Sequence, residues 1–467
     1  MLNWHLRLAV IELDTISQSL YYCFLYNAFS GYQLITSMQE KKANSEINRR
    51  KFIGLAGVAS AIGLVPQNSL AASYQKDKDV TSAPTRVREH PLPENKIAEV
   101  LENKTICVEP GRFLIAGTNK LDTNGHLAAG DKVMEANRYL GWPTILKASN
   151  GRLFVVFSGD RDSHVCPYGK TQVIISDDNG KTWSAPAIIN NTALDDRDAG
   201  ILQTKKGTLV MSWFTSLAFE DPSRPDTYAK YARIGEKIPT ETKKELLGNW
   251  TRRSEDGGKT WLTPSRTNGT APHGPIALKN GDLLYIATGI FQGKAGIIVE
   301  RSVDDGRTWK VTGRIEKPEG LQSSLTEPHV VELKSGKLIA MIRNEPKDRT
   351  RCFLLQSESL DGGKTWSVMK STGIWGYPPH LKQLNNGWVL MVYGVRKQPF
   401  GERACISKDE GDTWEYQDEI TLCTADSADL GYPSSVQLDD ESILTVYYQA
   451  PKAGEPACLM STHWKLT

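Results

Sequence analysis

Ser359-Leu-Asp-Gly-Gly-Lys-Thr-Trp366 is one of five stretches of this sequence that follow the pattern S-x-D-x-G-x-T-W. The other four begin at Ser176, Ser254, Ser302 and Ser407, so that successive starts are 78, 48, 57 and 48 residues apart. In tight turns, Ser and Asp side chains bond nearby backbone N–H groups and Gly adopts positive φ. The pattern therefore predicts a hairpin repeated five times, whose Trp supplies an apolar plate between neighbouring sheets.

A second repeat lies out of phase with the first and occurs six times. Each copy has a short motif, an apolar strand, a turn that in most copies contains Gly or Asn, and another apolar strand. Hairpin pairs at a period of roughly 40–50 residues are typical of propeller blades. We therefore expect an all-β fold, a six-bladed β-propeller of four-stranded antiparallel sheets. The charged segment between residues 217 and 248 is predicted to be a partly helical insertion in blade two.

The N-terminal residues resemble a targeting segment. Arg49 and Arg50 precede an apolar run over 54–65 and small residues at 69–72, which is the arrangement of a twin-arginine export signal. The run is shorter than the roughly 20 residues that span a bilayer. We predict an N-terminal extension and signal peptide over 1–72, a linker over 73–104 and the propeller over 105–467, exported to the periplasm or outside the cell. Met38 as the true start and an uncleaved interfacial helix are the alternatives.

Composition excludes several classes of protein. Basic residues number 56 against 54 acidic ones, a net charge of +2, and nucleic-acid binding needs a concentrated basic face. The seven cysteines contain no C-x-x-C spacing, so neither a thiolate zinc site nor a thioredoxin-like motif is indicated, and the sequence assigns no disulfide pairing. No cofactor and no integral membrane segment is expected, and the oligomeric state is left open.

The inner strand of each blade lines the axis of a propeller, so the six motif starts are candidates for one shared pocket. They are Trp142, Asp198, His273, Glu327, His380 and Tyr432. Any one of these side chains could instead only satisfy backbone groups at a strand entry.

Five such boxes on six blades resemble the sialidase superfamily, the Asp-box or BNR-repeat propellers, over roughly residues 105–467. The resemblance implies that the boxes lie on outer turns, away from the active site. It also implies a Tyr nucleophile activated by a Glu, an exception among glycosidases, because a carboxylate on the anomeric carbon repels an anionic nucleophile. An Asp acts as acid/base, and three Arg bind the substrate carboxylate through their planar forks.

The later blades match the family segments. Glu327 heads a stretch that ends at Arg343, which is similar to the segment of the activating Glu and the second Arg. Tyr432 in Gly-Tyr-Pro-Ser-Ser-Val resembles the nucleophile. Arg403 stands where the third Arg is expected, with Arg396 as its rival. An ion pair at the surface or between blades is the alternative for Arg343 and Arg403.

The first blade departs from the family pattern twice. Gly141-Trp142-Pro143 stands where the family has Arg-Ile-Pro, so the first Arg is missing, with Arg138 or Arg161 as possible substitutes. His164 occupies the place of the acid/base Asp, and His serves acid–base chemistry near neutral pH. Asp160 and Asp162 are close enough to restore a carboxylate if the loop is shifted.

Metal binding is not expected. The acidic run at 195–198 is suited to sugar hydroxyls or a cation, but such turns are commonly solvated or paired. His164, His273, His329 and His380 lack any ligand spacing. Cys166 lacks an identifiable setting that lowers a thiol pKa.

Three functions remain open on the sequence. The first is an exo-acting retaining glycoside hydrolase that removes a terminal acidic sugar, sialic acid or a relative, with Tyr432 as nucleophile, Glu327 as its base and His164 as proton donor. Arg343 and Arg403 would hold the carboxylate. The second is a uronate-acting polysaccharide lyase that uses His164 and Tyr432. The third is a carbohydrate-binding propeller without catalysis, since fold alone does not decide function.

Overall fold

A computed structural model describes residues 94–115 and 138–467 of the chain. These residues form six antiparallel sheets, each a blade, and in blades one to five the strands run in sequence order from the axis outward. The six-bladed propeller predicted from the repeats is confirmed. No helix within the described ranges is long and apolar enough to cross a membrane.

Blades one and two follow the simple meander. Blade one contains β2 (Tyr139–Lys147), β3 (Leu153–Arg161), β4 (Lys170–Ser176) and β5 (Ala187–Asn190). Blade two contains β6 (Asp195–Gln203), β7 (Leu209–Ser216), β8 (Gly248–Ser254) and β9 (Ser265–Thr267).

The inner strand of blade three is split in two. The blade contains β10 (Gly269–Thr270), β11 (Ile276–Ala277), β12 (Leu283–Phe291), β13 (Lys294–Ser302) and β14 (Lys310–Ile315). Blade four contains β15 (Ser323–Glu332), β16 (Leu338–Pro346), β17 (Phe353–Ser359) and β18 (Lys370–Trp375). Blade five contains β19 (Pro379–Gln383), β20 (Val389–Val395), β21 (Gly401–Ser407) and β22 (Ile420–Thr424).

Blade six joins both ends of the described chain. Its strands from the axis outward are β23 (Leu430–Gln437), β24 (Ile443–Gln449), β25 (Cys458–Leu466) and β1 (Ala98–Cys107). The outermost strand therefore comes from the N-terminal side, and its first residues fall within the segment predicted to be a linker (73–104). The predicted signal peptide (1–72) lies outside the described residues.

The predicted insertion in blade two is helical. Between β7 and β8 lie the short helices α1 (Pro225–Tyr228), α2 (Ala232–Lys237) and α3 (Thr240–Leu246). Single 3-10 turns cover Ala218–Glu220, Ala229–Tyr231, Arg349–Arg351 and Tyr416–Asp418.

The hydrophobic core lies between blades rather than within one sheet. Apolar clusters fill all six blade interfaces, including the one between blades six and one that closes the ring. Tryptophans of the boxes bridge two of these interfaces by hydrogen bonds. Trp309 donates to Thr251 Oγ1 at 2.9 Å, and Trp414 donates to Gln356 Oε1 at 2.8 Å. The expected role of the box Trp as a plate between sheets is confirmed.

Each box closes the turn between the third and fourth strands of its blade, on the outer side. In blade three, Ser302 Oγ donates to Asp304 Oδ1 at 2.8 Å and accepts the N–H of Gly306 at 2.9 Å. Asp304 also accepts the backbone N–H and the hydroxyl of Thr308, at 2.9 and 2.6 Å. The boxes are part of the architecture and take no part in the site described below.

We predict that Asp304→Ala lowers the free energy of unfolding by about 1–2 kcal/mol, because it removes the acceptor of three hydrogen bonds in one turn. Asp304→Asn, which keeps one acceptor oxygen, should lose less. Chemical denaturation monitored by tryptophan fluorescence measures both. Equal losses in the two variants would contradict this account of the turn.

Candidate active site

In four blades, the side chain that points to the axis belongs to a residue with the same unusual backbone conformation. Trp142, Asp198, Glu327 and Tyr432 have φ values of 56°, 51°, 48° and 55°, the left-handed region that residues other than Gly seldom adopt. At each of them the inner strand loses register with its neighbour, which marks a bulge. Bulges re-aim side chains and are common beside active sites. The axis therefore receives one carboxylate from blade two, one from blade four and a phenol from blade six.

Blades three and five do not follow this pattern. In blade three the left-handed position belongs to Gly274 (φ 74°), one residue after His273. A Cβ there would lie 2.6 Å from Ser212 Oγ, so the close approach of blade two requires glycine. In blade five His380 occupies a regular ladder position opposite Val392. The expectation that six motif starts share one position therefore holds for four blades.

Tyr432 and Glu327 are joined directly, although 105 residues separate them in the chain. The Tyr432 hydroxyl donates to Glu327 Oε1 at 2.6 Å, and both side chains are more than nine-tenths buried. Burial first, and then the neighbouring carboxylates of Glu327 and Asp198, raises the pKa of Tyr432 well above its usual value. The phenol therefore keeps its proton near neutral pH until Glu327 accepts it.

Arg343 holds Glu327 in place. Its guanidinium donates to Glu327 Oε2 at 2.5 Å and to Glu345 Oε1 at 2.7 Å, and its Cζ lies 4.2 Å from the centre of the Tyr377 ring. Two carboxylates thus share one buried cation. The structure brings together Glu327 and Arg343, the pair expected from the sequence. Both carboxylate partners of Arg343 come from the protein itself.

Arg396 is the second guanidinium beside the nucleophile. Its Cζ lies 5.8 Å from the centre of the Tyr432 ring and 5.5 Å from that of Tyr377. Its hydrogen bonds go to neutral groups, the Leu430 carbonyl at 2.9 Å and the Tyr448 hydroxyl at 3.2 Å. Arg396 therefore presents a positive charge that none of these bonds neutralises.

Arg403 lies elsewhere in blade five. It sits in the third strand, and its guanidinium donates to the carbonyls of Cys423, Glu402 and Pro399 at 2.9, 3.1 and 3.1 Å, with Glu419 3.8 Å away. The structure does not bring Arg403 to Tyr432. Its placement favours Arg396 as the arginine that blade five supplies.

Trp142 forms the wall on the blade-one side. It is fully buried, with the guanidinium groups of Arg161 and Arg197 at 4.7 and 4.4 Å from the centre of its ring. Arg161 is itself fully buried and pairs with both oxygens of Asp195 at 2.5 and 2.9 Å. Arg161 therefore stands behind the tryptophan and does not replace the missing first arginine. Arg138 borders a different surface pocket, together with Pro451 and Glu455.

His164 belongs to a polar network at the more open side of the cluster, where it keeps 38% of its side-chain surface and Asp429 keeps 44%. Tyr139 donates to Asp429 Oδ1 at 2.9 Å and lies 3.0 Å from His164 Nδ1. Because the single hydroxyl proton of Tyr139 goes to Asp429, His164 Nδ1–H donates to Tyr139, and Nε2 of the neutral ring carries no proton. Partial enclosure, followed by the charges of Arg197 and Arg396, lowers the pKa of His164 to about 4 despite the proximity of Asp429.

The two acids beside His164 are both occupied. Asp160 pairs with the Lys170 ammonium. Asp162 accepts from Tyr231 at 2.5 Å and Lys230 at 3.0 Å, both from the helical insertion of blade two. The insertion thus holds the loop that carries His164, with further apolar packing of Phe219 against that loop.

Three histidines fill the axis where the inner strands of blades three, four and five meet. The ring centres of His273, His329 and His380 lie 4.4–5.6 Å apart, and His273 lies 6.4 Å from Tyr432. Burial lowers the pKa of all three, that of His329 to about 3, so the cluster is neutral at neutral pH. Within the described ranges, no group of His, Cys, Asp and Glu side chains is arranged to hold a metal ion. The six cysteines from Cys107 to Cys458 are all buried, and no disulfide joins any two of them.

Sequence reasoning missed several members of the cluster, namely Tyr139, Tyr377, Arg197, Asp429 and Tyr448. One signal was available: Asp429 stands three residues before Tyr432, at the entry of the same inner strand. The others come from the ends of different strands, and no local pattern marks them.

The fold and the site define a six-bladed propeller with Asp-box turns and a Tyr–Glu pair on its axis, and two family models match its repeats. One described as "BNR repeat-like domain" matches residues 235–446, and one described as "BNR/Asp-box repeat" matches residues 174–185. In its fold and its repeats the chain therefore resembles the BNR/Asp-box repeat proteins.

Solved structures share this fold at low identity. A protein of Dyadobacter fermentans DSM 18053, described as of unknown function, is 24% identical, with a TM-score of 0.61 over 79% of this chain and 99% of that one. The NanB sialidase of Streptococcus pneumoniae is 15% identical (TM-score 0.52; 73% and 70%), and the alpha-L-arabinanase of Penicillium chrysogenum is 16% identical (TM-score 0.50; 78% and 98%). No curated protein matches the sequence.

Proposed function

We propose that this protein is an exo-acting retaining glycoside hydrolase that removes a terminal acidic sugar, sialic acid or a relative, from glycans. The observation that carries the proposal is the 2.6 Å hydrogen bond between Tyr432 and Glu327 inside a buried, guanidinium-lined cluster. A hydroxyl bonded to a carboxylate base is the arrangement of an activated nucleophile. The sialidase and arabinanase with this fold are both named for action on glycans, which supports a sugar substrate.

In the first half of the reaction the Tyr432 oxygen attacks the anomeric carbon while its proton passes to Glu327 Oε1. The anomeric C–O bond breaks, its electron pair leaves with the departing oxygen, and that oxygen takes a proton from an acid of the site. In the second half water attacks the same carbon and gives a proton back to that acid, the tyrosyl C–O bond breaks, and the proton on Glu327 returns to Tyr432. Two displacements at one carbon give retention of configuration.

Arg396 supports an acidic substrate. It is partly buried beside Tyr377 and Tyr432 and bonds only a carbonyl and a hydroxyl among the contacts described above, so a substrate carboxylate would be its ion-pair partner. Arg343 is already shared by Glu327 and Glu345. Among the described arginines beside Tyr432, Arg396 is therefore the one without an ion pair within 4 Å, which suits a sugar with one carboxylate.

One observation favours a second candidate, a uronate-acting polysaccharide lyase. Tyr139 and His164 are in hydrogen-bond contact at 3.0 Å, and a Tyr–His pair can remove and return protons beside a uronate that Arg396 neutralises. A lyase leaves an unsaturated product that absorbs in the ultraviolet, whereas a hydrolase does not.

Incubation with a panel of sialyllactose, uronate polysaccharides and arabinan tests the proposal. We expect the wild-type protein to release a free acidic monosaccharide without a rise in ultraviolet absorbance, and Tyr432→Phe to release none. Release of neutral arabinose alone would contradict the acidic substrate, and an absorbance rise would establish the lyase. Glycan binding by both proteins without any turnover would establish a carbohydrate-binding propeller.

A further inference from the structure

The acidic run at 195–198 contributes three carboxylates to the blade-two side of the cluster, and two of them are engaged in the scaffold. Asp195 pairs with both terminal nitrogens of Arg161. Asp196 accepts the N–H of Thr192 at 2.7 Å and its hydroxyl at 3.0 Å. Asp198 differs from them: it is 8% exposed, and its Oδ1 has no hydrogen-bond partner among the described residues.

Asp198 occupies the same bulge position as the nucleophile and its base. Its φ of 51° matches the 48° of Glu327 and the 55° of Tyr432, and the inner strand shifts register between Arg197 and Gly200. A buried carboxylate with a free oxygen, held toward the axis by strained backbone, is costly unless it has a partner outside the chain. A substrate oxygen is such a partner.

The charged groups around Asp198 come from several elements. Arg197 and Asp195 lie on its own strand, Arg161 on β3, Glu327 on β15 and Tyr432 on β23. Burial is the largest influence and Glu327 acts in the same direction, whereas Arg197 and Arg161 oppose them. Together, burial and these charges raise the pKa of Asp198 to about 7, so its carboxyl group is largely protonated in mildly acidic solution.

We propose that Asp198, and not His164, is the proton donor to the leaving group, a role that rests on the glycosidase function proposed above. In the first step the carboxylic acid of Asp198 gives its proton to the glycosidic oxygen as the anomeric C–O bond breaks and the bond to the Tyr432 oxygen forms. In the second step the Asp198 carboxylate takes a proton from the attacking water, which restores the acid. His164 is poorly suited to this role near neutral pH, because its lowered pKa of about 4 leaves the ring neutral.

Kinetics on two leaving groups test the assignment. The probes are sialyllactose, whose sugar leaving group needs a proton, and the methylumbelliferyl glycoside of the same acidic sugar, whose phenol leaves without one. For Asp198→Asn we expect kcat/KM on sialyllactose to fall ~100- to 10,000-fold and to fall much less on the aryl glycoside. For the wild-type protein, kcat/KM should fall as the pH rises through the Asp198 pKa of about 7. This fall should be absent when the variant acts on the aryl glycoside.

Two control variants and one stability measurement complete the design. His164→Gln should not show this leaving-group split, and Asp439→Asn, at a surface aspartate that is 81% exposed, should behave as wild type. Without any substrate, the gain in Tm of Asp198→Asn over wild type should grow from about pH 4 to about pH 7 and then level off, because between the unfolded and native pKa values of Asp198 only the unfolded chain gains the favourable ionised carboxylate.

Equal losses on both probes in Asp198→Asn, a split found in His164→Gln instead, or a Tm difference that does not change with pH would each overturn the assignment while leaving the hydrolase proposal intact. No turnover of either probe by the wild-type protein would overturn both.

Discussion

Tyr432→Phe is expected to lower kcat by roughly 10⁴- to 10⁶-fold, the range observed when a member of a nucleophile–base unit is removed. The substitution deletes one oxygen and keeps the ring that packs at 6.3 Å from Trp142 and 5.9 Å from Tyr448. The fold should therefore be retained, and substrate binding through Arg396 should change little. Rates of monosaccharide release and circular dichroism measure the two effects.

Tyr447→Phe is the matched control for this prediction. Tyr447 lies in the next strand of the same blade, and its hydroxyl bonds Asn103 and Thr462 at 3.2 and 3.1 Å in a separate apolar cluster. It should keep full activity. A rate for Tyr432→Phe within tenfold of wild type would remove Tyr432 from the mechanism.

Arg343→Met is expected to lower the free energy of unfolding by about 3–5 kcal/mol, the usual cost of leaving a buried charge uncompensated. Here two carboxylates, Glu327 and Glu345, lose their shared cation while remaining more than nine-tenths buried. Activity should fall as well, because the base of Tyr432 loses the contact that orients it. Urea denaturation at neutral pH measures the stability change.

The pH dependence of this loss follows from Glu345. Burial alone would raise the pKa of its carboxyl, but Arg343 and Arg349 lower it below the usual value. A carboxyl with a lowered native pKa stabilises the fold above its unfolded pKa, and this contribution disappears as pH falls. The destabilisation of Arg343→Met should therefore shrink toward about pH 4.

Arg349→Ala is the control for Arg343→Met. At this half-exposed arginine, 3.3 Å from Glu345, the substitution should lower the free energy of unfolding by no more than about 1 kcal/mol. Equal losses in the two variants would contradict the account.

The fold was predictable because its signal is local and repeated. Each box contains all the donors and acceptors of its own turn, as the contacts of Ser302 and Asp304 show, so it can be identified without knowing the rest of the chain. Closure of blade six was not predictable in the same way. Strand β1 pairs with β25, although the two strands lie at opposite ends of the propeller sequence, and no local pattern predicts that pairing.

The site was predictable only in part. Tyr432 and Glu327 share an X-Pro dipeptide at the bulge, as do Trp142 and Gly274, and aligning those dipeptides would have shown that His273 lies one position early. Arg403 was placed at the site because it stands four residues before the box that begins at Ser407. Those residues belong to the third strand of the blade, which does not reach the site. The arginine that reaches Tyr432 follows the second strand instead.

Asp198 shows the other limit. The sequence displays three acids in four residues, and all of them are suited equally to an ion pair, a turn or a sugar contact. Only the partners distinguish them: Arg161 engages Asp195, Thr192 engages Asp196, and Asp198 is left with a free oxygen. Such partners lie outside the run, so local reasoning could not separate the three.

The central claim is that the Tyr432 oxygen forms a covalent bond with the sugar. A fluorinated analogue of the acidic sugar, which forms the glycosyl-enzyme faster than water releases it, followed by digestion and mass spectrometry, tests this directly. The account predicts one added sugar mass on the peptide that contains Tyr432 and none in Tyr432→Phe. A label on Asp198 or Glu327 would contradict it. So would the absence of any label together with release of a sugar whose anomeric configuration is inverted.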